Sequence, residues 1–166
     1  MGPDAPVSGP KTPPSFPEAT DDNGERQAMM ALYARATRAE LEAAVERFSP
    51  LPQVRKLRPP EAGLVMVQGR TGGDGAPFNM GEATVTRAAV QLEGGATGVS
   101  YMLGRAPEKA KAAAILDALW QDPALKLAVN DALAPIRRRL AAEEATAAAE
   151  AEATKVNFFT MTRGED

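Results

Sequence analysis

Residues 61 to 105 hold ten of the chain's fourteen glycines, and nothing else in the sequence limits the fold as strongly. Those glycines punctuate three apolar, β-branched runs. Glycine supplies positive φ and close backbone approach, so glycines between such runs mark turns and bulges of a sheet. The first run, Leu64 to Val67, is apolar on both sides of the pleat, which suits a strand covered on both faces. The third run puts Val99, Tyr101 and Leu103 on one face, against Gly98, Ser100, Met102 and Gly104 on the other. Glu93-Gly94-Gly95-Ala96 between the second and third runs is a hairpin signal. The stretch reads as a small, mainly antiparallel sheet within an α+β fold, with N-terminal and C-terminal helices packed on it.

The flanks support that division. Residues 1–24 carry six of the fourteen prolines and read as a disordered tail, although proline-rich segments can also dock on aromatic grooves. Residues 25–140 read as the α+β domain. Two helices, about 25–36 and 38–48, are predicted from apolar spacing, separated by the capping box Thr37-Arg38-Ala39-Glu40. The methionines of the first helix read as core before they read as an adaptable binding face. Gln53 to Arg58 reads as a short edge strand stopped by Pro59-Pro60. Its basic residues Arg55, Lys56 and Arg58 could touch phosphate or could protect an exposed edge. After the sheet, a helix opens at Pro107 and runs to about Trp120. A further helix starts at Asp122-Pro123 and is expected to kink or end at Pro135.

Residues 141–166 change character twice. The stretch 141–153 has eight alanines and four glutamates, a high helix propensity and almost nothing large to bury, so it reads as a solvated helical spacer. Beyond it, Val156, Phe158, Phe159, Met161 and Arg163 form an aromatic arm. Such residues at the end of a solvated spacer either fold back as an added strand or insert into another chain; the spacer favours a partner-binding arm.

Composition closes off most active-site designs. The chain has neither cysteine nor histidine, so it cannot by itself supply a disulfide, a Cys/His zinc site, iron–sulfur ligation, a thiol nucleophile or a histidine base. Nineteen basic and 22 acidic residues give a net charge of −3, and no global reason to expect nucleic acid. No apolar run approaches the roughly 20 residues of a membrane span, and no secretory segment opens the sequence, so a soluble cytoplasmic protein is expected.

The remaining candidates are arginines. Gly69-Arg70-Thr71-Gly72-Gly73-Asp74-Gly75 resembles a phosphate loop in glycine content, but neither the GxGxxG nor the Gly-Lys-Ser/Thr pattern is present, and a strand follows. A glycine-rich strand connection accounts for it better. Arg87, between apolar neighbours, either binds a ligand anion or pairs with Glu82 or Glu61. Arg105 stands where a strand feeds a helix N-terminus, the most plausible anion corner, although an arginine there can simply be solvated.

The motif order carries further information. Glu61-x-Gly63-Leu64-Val65, Gln68-x-Arg70-x-Gly72-Gly73-x-Gly75 and Gly81-Glu82-Ala83-Thr84-x-Thr86-Arg87-Ala88-Ala89-Val90 follow one another, then Gly98, Gly104-Arg105, Lys109 and Asp117-Ala118-Leu119. Val156-Asn157-Phe158-Phe159-Thr160-Met161-x-Arg163-Gly164 closes the series. Over about residues 26 to 164 the chain resembles the G subunit family of the bacterial carbon–phosphorus lyase system. The proline-rich start and the Ala/Glu spacer depart from that pattern, and nothing is carried over to them. The resemblance implies a subunit of a core complex with the H, I and J subunits, the I subunit being the most direct partner, and a functional link to the L subunit. It implies a transferase reaction in which an alkylphosphonate displaces adenine from ATP to give ribose 1-alkylphosphonate 5-triphosphate. C–P cleavage would follow in the J subunit, with an iron–sulfur cluster and S-adenosylmethionine; this chain alone would bind no cofactor. Within that frame the chain either shapes and assembles the complex, or uses Arg70, Arg87 or Arg105 to hold ATP phosphates or phosphonate near Glu82. A free-standing anion-binding module is the third reading.

Overall fold

The computed structural model describes residues 21–72 and 74–155. Four helices and three strands follow in the order α1 (Asp21–Arg35), α2 (Arg38–Glu46), β1 (Val54–Arg70), β2 (Pro77–Leu92), β3 (Thr97–Leu103), α3 (Pro107–Trp120) and α4 (Lys126–Ala153). The strands form one antiparallel sheet in the order β1-β2-β3. The fold is α+β, with the helices on one face of the sheet.

α3 is the centre of the core. Every residue from Ala112 to Trp120 is buried, because the helix packs on β2 and β3 on one side and on α1, α2 and α4 on the other. Its alanines permit close approach to the sheet. Thr86, Ala88, Val90 and Leu92 of β2 and Gly98, Ser100 and Met102 of β3 all face it and are buried. Gly98 is the tightest point: a Cβ there would lie 1.9 Å from the Ala114 carbonyl oxygen and 2.6 Å from the Ala118 nitrogen. The larger face of β3, with Tyr101 and Leu103, therefore points away from the helices, and the small face makes the core.

The α1–α2 junction forms as the sequence predicts. Thr37 caps α2, accepting from the Glu40 backbone, while the Glu40 side chain accepts from the Thr37 backbone. α1 begins at Asp21, four residues before the expected start. Two prolines behave differently from expectation. β1 runs through Pro59-Pro60, because the register shifts between Lys56 and Arg58 and again between Arg58 and Glu61; proline's missing N–H costs no ladder bond there. α4 likewise runs through Pro135. Proline cannot donate to the Asp131 carbonyl, and Arg47 Nη1 donates to that oxygen instead at 3.2 Å.

A third difference bears on function. Leu64 to Val67 form a strand, but it is not covered on either face. β3 pairs with β2 only from Val85 to Gln91, so the far half of the β1–β2 hairpin extends beyond the core as a two-stranded ribbon. α4 has a free part as well: Leu140 is its last buried residue, and 141–155 are exposed throughout. No helix among the described residues is long and apolar enough to cross a membrane.

Candidate functional site

The turn from β3 into α3 is the corner where Arg105 stands. Gly104 has φ of 79°, a left-handed conformation that suits glycine and redirects the chain out of the sheet. Thr86 Oγ1 donates to the Gly104 carbonyl at 2.6 Å and accepts from Ala106 N at 2.9 Å, pinning the corner to β2. Lys109, in the first turn of α3, donates to the Ala34 carbonyl at 2.7 Å and so ties that turn to the end of α1. Burial holds its ammonium below the ordinary lysine pKa. Arg105 itself is exposed, with no hydrogen-bond or ion-pair partner among the described residues.

The four charged candidates do not share a site. Arg70 lies at the hairpin tip, where Nη1 donates to the Gly75 carbonyl at 3.2 Å; the glycine-rich loop is the turn of that hairpin. Glu82 is on the ribbon, paired across the strands with Met66, four positions along β1 from Arg70. Arg87 points to the opposite face from Glu82, and its Nε donates to Glu61 at 3.0 Å, a carboxylate shared with Arg58. That is one of the two structural pairings the sequence leaves open. A cavity of about 520 Å³ is lined by Glu25, Met29, Trp120, Lys126, Leu127 and Arg137 among others, and none of the four candidates lines it. The arm residues Val156, Phe158, Phe159, Met161 and Arg163 lie outside the described residues.

Several residues of the motif series turn out to hold the fold. Asp117 is fully buried in α3. It accepts from Arg26 Nε at 3.0 Å and Nη2 at 2.7 Å, from Val99 N at 2.8 Å and from Gln121 Nε2 at 3.3 Å. One carboxylate thus joins α1, β3 and the end of α3, with its lone pairs satisfied as a buried charge requires. Asp117 is in the motif series, but its partner Arg26 cannot be read from spacing, since 91 residues separate them.

What sequence reasoning missed is an apolar surface. On the outer face, Val65, Val67, Phe78 and Met80 of the ribbon continue into Tyr101 and Leu103 of β3, all between 40% and 80% exposed. A bulge beside Val67 brings Met80 and Phe78 across Gly69, where a Cβ would meet Met80 Sδ at 2.5 Å. The inner face of the ribbon shows Leu64 and Met66, also exposed. The signal was present in the doubly apolar run Leu64–Val67, for which the described residues offer no second covering layer.

The chain is therefore an α+β protein with a sheet covered on one side and an apolar ribbon left bare. The family described as phosphonate metabolism protein PhnG matches residues 24–164. A protein of Rhizobium meliloti (strain 1021), described as alpha-D-ribose 1-methylphosphonate 5-triphosphate synthase subunit PhnG, is 46% identical over 151 residues, 90% of this chain and 97% of that one. The chain belongs to the PhnG family.

Proposed function

We propose that the chain is a subunit of a cytoplasmic carbon–phosphorus lyase core complex, acting with the H, I and L subunits in making ribose 1-alkylphosphonate 5-triphosphate and adenine from ATP and an alkylphosphonate. The observation that carries this is the 46% identity, over nearly the whole length of both chains, to a subunit named for that synthase. The role is assembly and shaping of the site rather than bond-making. Four dispersed candidates, none of them lining the cavity beside Trp120, support this, as does the want of any cysteine or histidine. ATP is then substrate of the whole assembly. The iron–sulfur and S-adenosylmethionine chemistry belongs to the J subunit, at a later step. The aromatic arm beyond Lys155 contacts the I subunit.

The test is formation of ribose 1-methylphosphonate 5-triphosphate from ATP and methylphosphonate by the co-expressed subunits, with and without this chain. The product is expected only from the complete set, with none from the isolated chain. Equal turnover without it would remove the role. If Arg70→Ala, Arg87→Ala or Arg105→Ala complexes assemble but lose on the order of 100-fold in turnover, the arginines act directly on an anion, and the catalytic reading replaces this one.

A further inference from the structure

The bare ribbon poses a physical problem that the described residues do not solve. Leu64, Val65, Met66, Val67, Phe78 and Met80, with Tyr101 and Leu103 beside them, are each 40% to 80% exposed. Together they put eight large apolar side chains in water on the ribbon and the adjoining strand. A stable monomer normally exposes a contiguous apolar patch of only a few hundred Å². From Leu64 to Arg70 the ribbon is roughly 20 Å long at ~3.3 Å per residue, with apolar side chains on both faces and an unpaired edge on each side.

We propose that this ribbon inserts into an apolar cleft of another subunit of the synthase, with walls on both of its faces. The inference rests on the subunit reading above and names the surface that reading needs. Two-sidedness selects the occupant. A second copy laid on the outer sheet face would leave Leu64 and Met66 in water. Residues 1–20 offer only Met1, Val7 and Phe16 as large apolar side chains, and residues 156–166 are one eleven-residue segment, enough for one face or one edge but not both. Charge defines the partner further. Glu82, beside Met66 on the inner face, has no hydrogen-bond or ion-pair partner among the described residues. The inner wall of the cleft therefore carries a lysine or arginine within an apolar surface, and the outer wall, facing Val65, Val67, Phe78 and Met80, is apolar throughout. The free part of α4 leaves from the same end of the molecule: Lys109 ties the first turn of α3 to Ala34, and the adjacent Arg35 pairs with Glu144. One partner can engage both projections.

The cysteine-free sequence makes the test direct. Met66→Cys and Phe78→Cys chains, each labelled with a benzophenone maleimide, are assembled with the co-expressed synthase subunits and irradiated. Both positions are expected to cross-link to one and the same partner polypeptide. A Met66→Glu/Phe78→Glu chain is expected to lose on the order of 100-fold in partner recovery, while melting within about 2 °C of wild type. Cross-linking from Phe78→Cys alone overturns two-sided insertion. A cross-link to a second copy, or to the chain's own last eleven residues, overturns the choice of occupant. Undiminished assembly of the double-glutamate chain overturns the ribbon as an interface while leaving the subunit reading intact. If wild-type chain recovers no partner, the subunit reading falls and the ribbon proposal falls with it.

Discussion

Within the single strand β2 the chain lives in two environments. From Thr86 to Leu92 every second residue is buried beneath α3; from Pro77 to Glu82 every residue is exposed. Both halves pair with β1, and both carry apolar side chains suited to a pleated sheet. The difference is the cover, not the strand. Near α3 a small face of Ala88, Ser100 and Gly98 brings helix and sheet together. Past Thr84 no helix among the described residues covers Met66 or Phe78. Half of one hairpin stabilises the fold, and the other half is free for a surface outside the chain.

The contrast breaks most directly at its tightest contact. Gly98→Ala places a methyl 1.9 Å from the Ala114 carbonyl oxygen and 2.6 Å from the Ala118 nitrogen. Both are backbone atoms, so no side chain can rotate away, and α3 must lift from β3. A loss of about 3 kcal/mol or more is expected by urea unfolding. A cost under about 1 kcal/mol would mean that α3 is not seated on the sheet as described.

A matched pair sharpens the comparison at a smaller scale. Val90 is 2% exposed and Val67 is 40% exposed, on the same hairpin. Val90→Thr buries a hydroxyl under α3 and is expected to cost about 2 kcal/mol. Val67→Thr keeps the β-branch in water and should change stability by no more than about 0.5 kcal/mol. Equal costs from the two substitutions would show that the ribbon is covered within the isolated chain.

That distinction was only partly legible in the sequence. The capping box at Thr37 and Glu40, the hairpin turn at Gly94 and the strand character of Leu64–Val67 depend on local chemistry, and local chemistry is what a sequence displays. So does the pairing of Arg87 with a carboxylate, although Glu61 and Glu82 stood equal until the register was known. The unbroken β1 and α4 were hidden, because the remedies for Pro59-Pro60 and Pro135 are tertiary: register shifts in the first case, Arg47 reaching the Asp131 carbonyl in the second. The bare ribbon was hidden for a related reason. Period and polarity say that Leu64–Val67 wants cover on both faces, and they do not say which chain supplies it. Of the candidate site, the sequence named Arg70, Glu82, Arg87 and Arg105 by residue type. Strand alternation separates Glu82 from Arg87, but it does not place either of them relative to Arg70 or Arg105.

The same division between anchored and free halves recurs in α4, and it can be tested through pH. Arg139, in the last anchored turn, donates to Glu40 from Nε at 2.6 Å and Nη2 at 2.9 Å, fastening α4 to the capping box of α2. Beyond that turn α4 buries nothing. The hydrogen bonds from Arg139, with those from Thr37, lower the Glu40 pKa from its ordinary 4.5 to about 2, against the opposing effect of burial. A carboxylate with a depressed folded pKa contributes stability that is present above its unfolded pKa and lost as pH falls through the folded value. The window is therefore pH 4.5 down to about 2. Glu40→Gln keeps the shape but removes this charge. Its melting temperature is expected to lie below wild type at pH 6, and the two curves should converge as pH falls through that window. Both proteins share every other carboxylate, so the difference curve isolates this one. The partly exposed pair is worth little, and the effect should be smaller than either substitution in the sheet. A melting difference that stays constant from pH 6 to pH 2 would show that Glu40 holds α2 by its hydrogen-bonded shape alone, and that its charge does not fasten α4.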